Sequence, residues 1–248
     1  MNRGSSTSAP PPSDPPGDEE ASLPSPSPSG SERAFRESLA HLPMFPLPGV
    51  VLFPQALLPL HIFEERYKSM ARDLLSSHRH LAVAMLESPD DAMEAGRPPV
   101  RPIMGMGEVV VAHELPDGRF NIVIRGRARV HLDEELLSDR PYRVIRASVR
   151  ADLPVANPGD LTDADQSLRA LVGRLADNIP DGGELLRQVV ASQTTPTELS
   201  DVLAAALIVD PQKRQRLLET RNILKRVEMV TAEVVTMTRR VKPSGPAN

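Results

Sequence analysis

The side chains best suited to acid–base or metal chemistry near neutral pH are the six histidines, His41, His61, His78, His80, His113 and His131. None stands in a His-Glu-x-x-His pattern. His78-Arg79-His80 falls where a helix is expected to end, and cationic side chains there complement the helix dipole. Asp90-Asp91 and Asp133-Glu134-Glu135 read as solvated loop carboxylates. No cysteine is present, which excludes thiolate catalysis, disulfides and Cys-ligated metal. The sequence has no Gly-x-x-x-x-Gly-Lys-Ser/Thr phosphate cradle and no Gly-x-Ser-x-Gly elbow. Gly105-Met106-Gly107 lacks the third glycine of a dinucleotide fingerprint and opens no helix, so it reads as a close-packed strand or bulge. The expectation is a chain that is not an enzyme, with no catalytic residues, no metal site and no cofactor.

Two groups remain that could bind. Arg119, Arg125, Arg127, Arg129, Arg143, Arg146 and Arg150 are concentrated in one strand-rich stretch. On one sheet face, Arg125, Arg127 and Arg129 would offer phosphate contacts. Only Phe120 and Tyr142 accompany them for base stacking, and a solvated, salt-bridged face explains the arginines as well. The second group is methionine, an adaptable apolar side chain suited to promiscuous surfaces. Met104 and Met106, beside the small Gly105 and Gly107, are the expected surface contacts for polypeptide. The formal net charge of −4 gives no global argument for nucleic acid. No apolar run approaches the roughly 20 residues of a membrane span, and a secretory leader is not expected. The expected compartment is the cytoplasm.

The elements that must hold these groups change character along the chain. Residues 1–38 are rich in Pro and Ser, as in Ser25-Pro26-Ser27-Pro28-Ser29-Gly30, and are expected to be a disordered tail with order starting near Leu39. A β-rich subdomain is expected over 39–155. Its opening, residues 42–60, is strongly apolar but broken by five prolines, which predicts short edge strands at Val50–Phe53 and Leu57–Leu60. Phe63, Tyr67, Met70, Leu74 and Leu75 recur at helical spacing. Strands follow at Leu81–Leu86, at Gly107–Leu115, after the Pro116-Asp117-Gly118 turn, and at Tyr142–Arg150. Along 127–132 arginine and His131 alternate with Ala128, Val130 and Leu132, which predicts one wet and one buried face. Residues 156–241 are expected to be helical. Asp160 is the expected first cap, Thr195-Pro196-Thr197-Glu198 forms a capping box, and one long helix is expected from Asp210-Pro211 to about Arg240, burying Leu224 and Val227. Residues 242–248 are expected to be a short disordered tail.

Leu42-Pro43-Met44-Phe45-Pro46-Leu47, Val50-Val51-Leu52-Phe53-Pro54 and Leu58-Pro59-Leu60-His61-Ile62-Phe63-Glu64-Glu65-Arg66-Tyr67 together resemble the opening of the Lon protease N-terminal domain. Gly107-Glu108-Val109, Pro116-Asp117-Gly118-Arg119, the Val123–Arg129 strand and the helical stretch from Glu198 through Leu203 to Glu219 are similar to the same family. The resemblance covers roughly residues 40–240. It implies an α+β fold, with a PUA-like β pseudo-barrel followed by an α-helical bundle. It also implies binding of unfolded or client polypeptides in an adaptor or chaperone-like role, with a separate ATP-dependent protease as a further partner. The ATPase and peptidase regions of Lon are expected to lie outside these residues. An RNA-binding PUA-like module is the alternative. The oligomeric state is not legible in the sequence.

Overall fold

The five prolines between residues 42 and 60 decide how the chain enters its sheet. The computed structural model describes Met1, residues 28–88 and residues 97–240. The first strand, β1 (Leu42–Leu47), is not among the expected strands; it contains Pro43 and Pro46 yet lies between β3 (His80–Met85) and β6 (Arg143–Val149), so its prolines do not mark an edge. The ladders are staggered: β6 covers residues 42–44 and β3 covers 44–47. Each proline therefore keeps one unpaired side toward which its missing N–H can face. β2 (Leu57–Ile62) is an edge strand, and Pro59 stands in it where such strands tolerate proline.

The remaining strands are β4 (Ile103–Glu114) and β5 (Phe120–Leu136), joined at the Pro116-Asp117-Gly118 turn, where Gly118 adopts a positive φ of 75°. The 17-residue β5 is shared between partners. One side pairs with β4 over residues 120–131; the other pairs with β2 over residues 120–125 and with β6 over 130–136. The circuit β5-β4-β3-β1-β6 thereby closes into a barrel-like sheet, and β2 extends its flank. All the ladders are antiparallel except β1–β3. With the helices that follow, the α+β architecture has the expected order: pseudo-barrel first, bundle second.

Val50–Phe53, expected as a strand, joins no ladder. It lies against the sheet's backbone. A Cβ on Gly105 would stand 1.9 Å from the Leu52 carbonyl oxygen, and one on Gly126 would stand 1.9 Å from that of Phe53. The expected close packing at Gly105-Met106-Gly107 is this contact, and the register shifts beside it, where Arg127 of β5 is the extra residue opposite the Met106–Gly107 step of β4. Alternate side chains of the crossing segment serve different cores. Leu52 packs with the strands and α2 (Glu65–Leu75), whereas Val51 and Phe53 pack with the helices of the second half.

Helix also replaces part of the expected tail. Residues 28–38, inside the 1–38 segment, form α1 (Pro28–Ser38), which ends in the ion pairs Arg33–Glu37 and Arg36–Glu32 at i,i+4 spacing. Phe35 and, just beyond the helix, Leu39 pack on a cluster containing Leu42, Met44, Ala82 and Val130. Residues 2–27 and 241–248, expected to be disordered, lie outside the described residues.

Five helices follow the sheet: α3 (Pro158–Asp177), α4 (Gly183–Ser192), α5 (Pro196–Leu207), α6 (Pro211–Glu219) and α7 (Ile223–Arg240). Asn157 caps α3 by accepting from the Gly159 N–H, in place of the expected Asp160. The Thr195/Glu198 capping box of α5 is present in both directions. The single long helix expected from Pro211 is instead α6 and α7. It breaks at Thr220-Arg221-Asn222, where Asn222 Oδ1 accepts from the Lys225 N–H and the Thr220 carbonyl accepts from Arg226 Nη1. Val227 is fully buried, while Leu224 is only half-buried. No helix among the described residues is long and apolar enough to cross a membrane.

A chain of buried charge joins the two halves. Arg129 of β5 grips both carboxylate oxygens of Asp201 on α5, one at 2.8 Å, and its Nε donates to the Leu218 carbonyl at 3.0 Å. Arg226 of α7, with no exposure at all, lies 3.3 Å from the same Asp201 and donates two bonds to Asp152, at 2.7 and 3.0 Å, in the link between β6 and α3. Burial would lower the Arg226 pKa, but the bonds to Asp152 and the charges of Asp201 and Asp152 outweigh it and hold the guanidinium above its ordinary value. Gln215 of α6 adds a bond to the Ile103 carbonyl of β4 at 2.8 Å.

Removing one partner from such a network leaves a buried charge uncompensated, at a cost of about 3–5 kcal/mol. Asp201→Ala should therefore lower chemical-denaturation stability by that amount, with barrel and helices still unfolding in one transition. Glu233→Ala, which removes only the half-exposed pair with Lys213, should cost less than about 1 kcal/mol. Two separable transitions in the unaltered protein would show that the halves are not a single cooperative unit.

Candidate functional site

The structure does not place the expected contact residues where the sequence reading put them. Met104 and Met106 are completely buried. Strand alternation turns both side chains into the cluster that Phe35 and Leu39 pack against. The flanking glycines signal the close approach of Leu52, not an open surface. Arg125, Arg127 and Arg129 do not form a basic stripe either. Arg129 is the buried clamp on Asp201 and is 4% exposed, so the strand face expected to be wet is covered there by helices. Arg127 is directed to Glu108 at 3.9 Å, and Arg125 stands alone of the three at an apolar cleft.

Several of the other nominated groups have partners. Arg119, Arg143 and Arg146 pair with Asp117, Glu135 and Glu134. His80 is not at a helix end. It begins β3, is 5% exposed, and meets the Phe35 ring edge-on at 5.8 Å. Burial pulls its pKa below the ordinary imidazole value, against a smaller upward pull from Glu108. His131 and Ser148 both contact Asp133, on the surface. The carboxylate stands between them, so the histidine does not activate the hydroxyl as a nucleophile requires. No three His, Asp or Glu side chains among the described residues are grouped to hold a metal ion.

Two clefts differ in kind. One, of about 290 Å³, is ringed by Arg66, Arg97, Arg140 and Arg143 beside Tyr67 and Tyr142. Every one of these arginines is already paired with a carboxylate, from Glu64, Glu135 or Asp73. Burial and a hydrogen bond to Asp73 push Tyr142 up to about 12, so its hydroxyl stays protonated. This cleft is polar and satisfied.

The other cleft, of about 540 Å³, lies where the β2 end of the sheet faces α4 and α5. Its walls are Ala56 and Leu57 on one side and Val189, Val202, Ala205 and Ala206 on the other, with Gln55, Arg125, Ser192 and Gln193 as the polar members. Leu57 is 60% exposed. The crossing segment puts it there: Gln55 at a φ of 64° and Ala56 exchange backbone bonds with Gly126, and the chain then turns into β2. Leu185, one helical turn before Val189, is 65% exposed and continues the same face of α4. On the sheet, the register runs Leu57 to Arg125 and Pro59 to Val123 to Val111, the last 56% exposed. Apolar surface thus continues out of the cleft onto the flank of the barrel. Contiguous exposed apolar surface of this kind marks interaction sites. The signal was present in the sequence as Leu57-Leu58-Pro59-Leu60, whose leucines cannot all face one core when side chains alternate.

Comparison with known proteins gives one family. Residues 41–236 match the model of the ATP-dependent protease La (LON) substrate-binding domain. The Lon protease of Roseiflexus castenholzii is 26% identical over 210 residues, covering 81% of this chain and 25% of that protein. The Lon protease of Anaeromyxobacter dehalogenans is 24% identical over 191 residues, covering 77% and 22%. The chain therefore spans about a quarter of the length of the curated relatives it matches. Among solved structures, the N-terminal domain of Mycobacterium avium complex Lon protease superposes with a TM-score of 0.59 at 16% identity, covering 79% of this chain and 98% of that one. A Lon N-terminal domain protein from Xanthomonas campestris gives 0.54 at 21% identity, covering 78% and 98%. These two likenesses are of fold.

The burial of the two methionines has a measurable consequence. Truncating a buried methionine costs about 2–5 kcal/mol, and a buried hydroxyl without a partner adds to that. Met104→Ser with Met106→Ser should therefore strongly depress the melting temperature. A double variant melting within about 2 °C of the unaltered protein would mean that these side chains face solvent.

Proposed function

The chain belongs to the ATP-dependent protease La (LON) substrate-binding domain family, and from that membership we propose that it is a polypeptide-binding module that seats extended, apolar stretches of unfolded or client chains in the cleft between β2 and the α4–α5 pair. The observation that carries this reading is Leu57, a large aliphatic side chain left 60% exposed at the mouth of an apolar cleft. Small Ala56, Ala205 and Ala206 leave room for incoming side chains of varied size, and Gln55 and Gln193 offer amides to a peptide backbone. Edge strand β2 runs along the cleft, so an extended segment could lie beside it, although Pro59 withholds one backbone donor. The role is holding or delivery, as a chaperone-like binder or as an adaptor to a separate ATP-dependent protease. No nucleophile paired with a base stands among the cleft residues described. The RNA-binding alternative finds no support in the three arginines, which are divided between a buried clamp, a carboxylate neighbour and the cleft.

Burying one leucine is worth about 1.5–3 kcal/mol, which is at least roughly tenfold in affinity. Leu57→Ser with Val189→Ser should weaken suppression of a denatured client's aggregation about tenfold. The unaltered protein should keep its effect at high salt, because apolar burial is not screened. An undiminished effect in the double variant would remove the cleft from the account. Salt-sensitive RNA binding lost on Arg125→Ala with Arg127→Ala, with no effect on any client, would replace it with the nucleic-acid reading.

A further inference from the structure

Arg125 differs from the other arginines on β5 and β6 in having no ion pair. Arg119, Arg127, Arg143 and Arg146, also on the barrel's exterior, each face a carboxylate. Arg125 has no ion pair with any described residue, and its cross-strand neighbour Glu108 lies by Arg127 instead. On its other side, the register places it opposite Leu57 of β2. Its guanidinium is exposed and lines the apolar cleft. A guanidinium presents a planar fork of donors that matches a carboxylate, and it is weakly enough hydrated to work beside apolar walls. A nucleic-acid backbone would call for several such cations and for aromatic stacking partners, and the cleft lining has one cation and no aromatic ring.

We propose that the cleft selects polypeptide segments in which an aliphatic side chain lies next to a carboxylate, the side chain entering between Leu57 and Val202 and the carboxylate pairing with Arg125. This rests on the reading of the cleft as a polypeptide site and adds the substrate class. Two sources supply the same chemistry: the α-carboxylate at the end of a chain, or an Asp or Glu side chain within it. Chains with lysine or arginine beside the aliphatic residue are disfavoured by like charge, so the cleft discriminates among unfolded chains that are equally apolar.

Fluorescence anisotropy on the full chain tests this with three labelled peptides of one Leu/Ala/Ser sequence: a free C-terminal acid, a C-terminal amide, and an amide with a Glu beside the central Leu. One or both carboxylate peptides should bind about fivefold more tightly than the neutral amide, and the one that does identifies the source. That ratio should fall to about one in Arg125→Gln, persist in part in Arg125→Lys, and shrink as salt rises. A ratio near one in the unaltered protein, a ratio that survives Arg125→Gln, or stronger competition from a single-stranded RNA oligomer would each overturn the proposal. The underlying reading is tested by the neutral amide alone. If its binding is weakened by Leu57→Ser with Val189→Ser while no carboxylate preference appears, only this inference fails. If its binding ignores those substitutions, the cleft reading fails and takes the inference with it.

Discussion

Asp201 holds two arginines that come to it from opposite halves of the molecule, and the shape of everything between them follows. Arg129 reaches it from the long shared strand of the barrel and Arg226 from the last helix, both inside the protein. Two cations and one anion would be untenable there without Asp152, which takes two bonds from Arg226 and leads from the last strand into the first helix of the bundle. Buried charges tolerate little displacement, because each bond lost leaves an unsolvated charge. The network therefore fixes the angle between sheet and helices. The cleft opens between those same layers, so its width is set before a ligand arrives, and preorganisation lowers the cost of binding.

The segment between β1 and β2 does the apolar part of the same work. Its alternating side chains enter two cores at once, and glycines at 105 and 126 let its backbone lie on the strands with no side chain between. Where it leaves the sheet, Gln55 and Ala56 bond to Gly126, and the next residue is Leu57. The exposed leucine is thus a consequence of the crossing. A chain forced over the sheet by close packing must descend to the edge strand at that point, and the helices flank it there.

Much of the fold was legible in the sequence and most of the site was not, for separable reasons. The hairpin turn at Gly118, the alternating strands and the Thr195/Glu198 capping box are local signals that tertiary context does not overrule. The motifs between Leu42 and Tyr67 pointed to the right family. Two misreadings are linked. Proline and serine counts extended the tail to residue 38 and so hid α1, although Glu32, Arg33, Arg36 and Glu37 stand at helical spacing. With α1 missing, the cover over Met104 and Met106 was missing too, and the methionines looked free to face solvent. Arg129 was misplaced for a different reason. Alternation says that a residue faces away from the barrel core, but not whether a second layer lies on that side. The break before α7 was missed because Leu217, Leu224 and Val227 keep a helical period across it.

The central claim is that unfolded polypeptide is held in the cleft between β2 and α4–α5. Amide hydrogen exchange with and without a saturating, permanently unfolded client tests it on the unaltered protein. Slowed exchange should be confined to residues 55–61, α4 and α5, with no change around the satisfied arginine-ringed cleft at Arg66, Arg97 and Arg140. Protection concentrated at that polar cleft, or saturated binding that leaves β2, α4 and α5 exchanging as before, would contradict it.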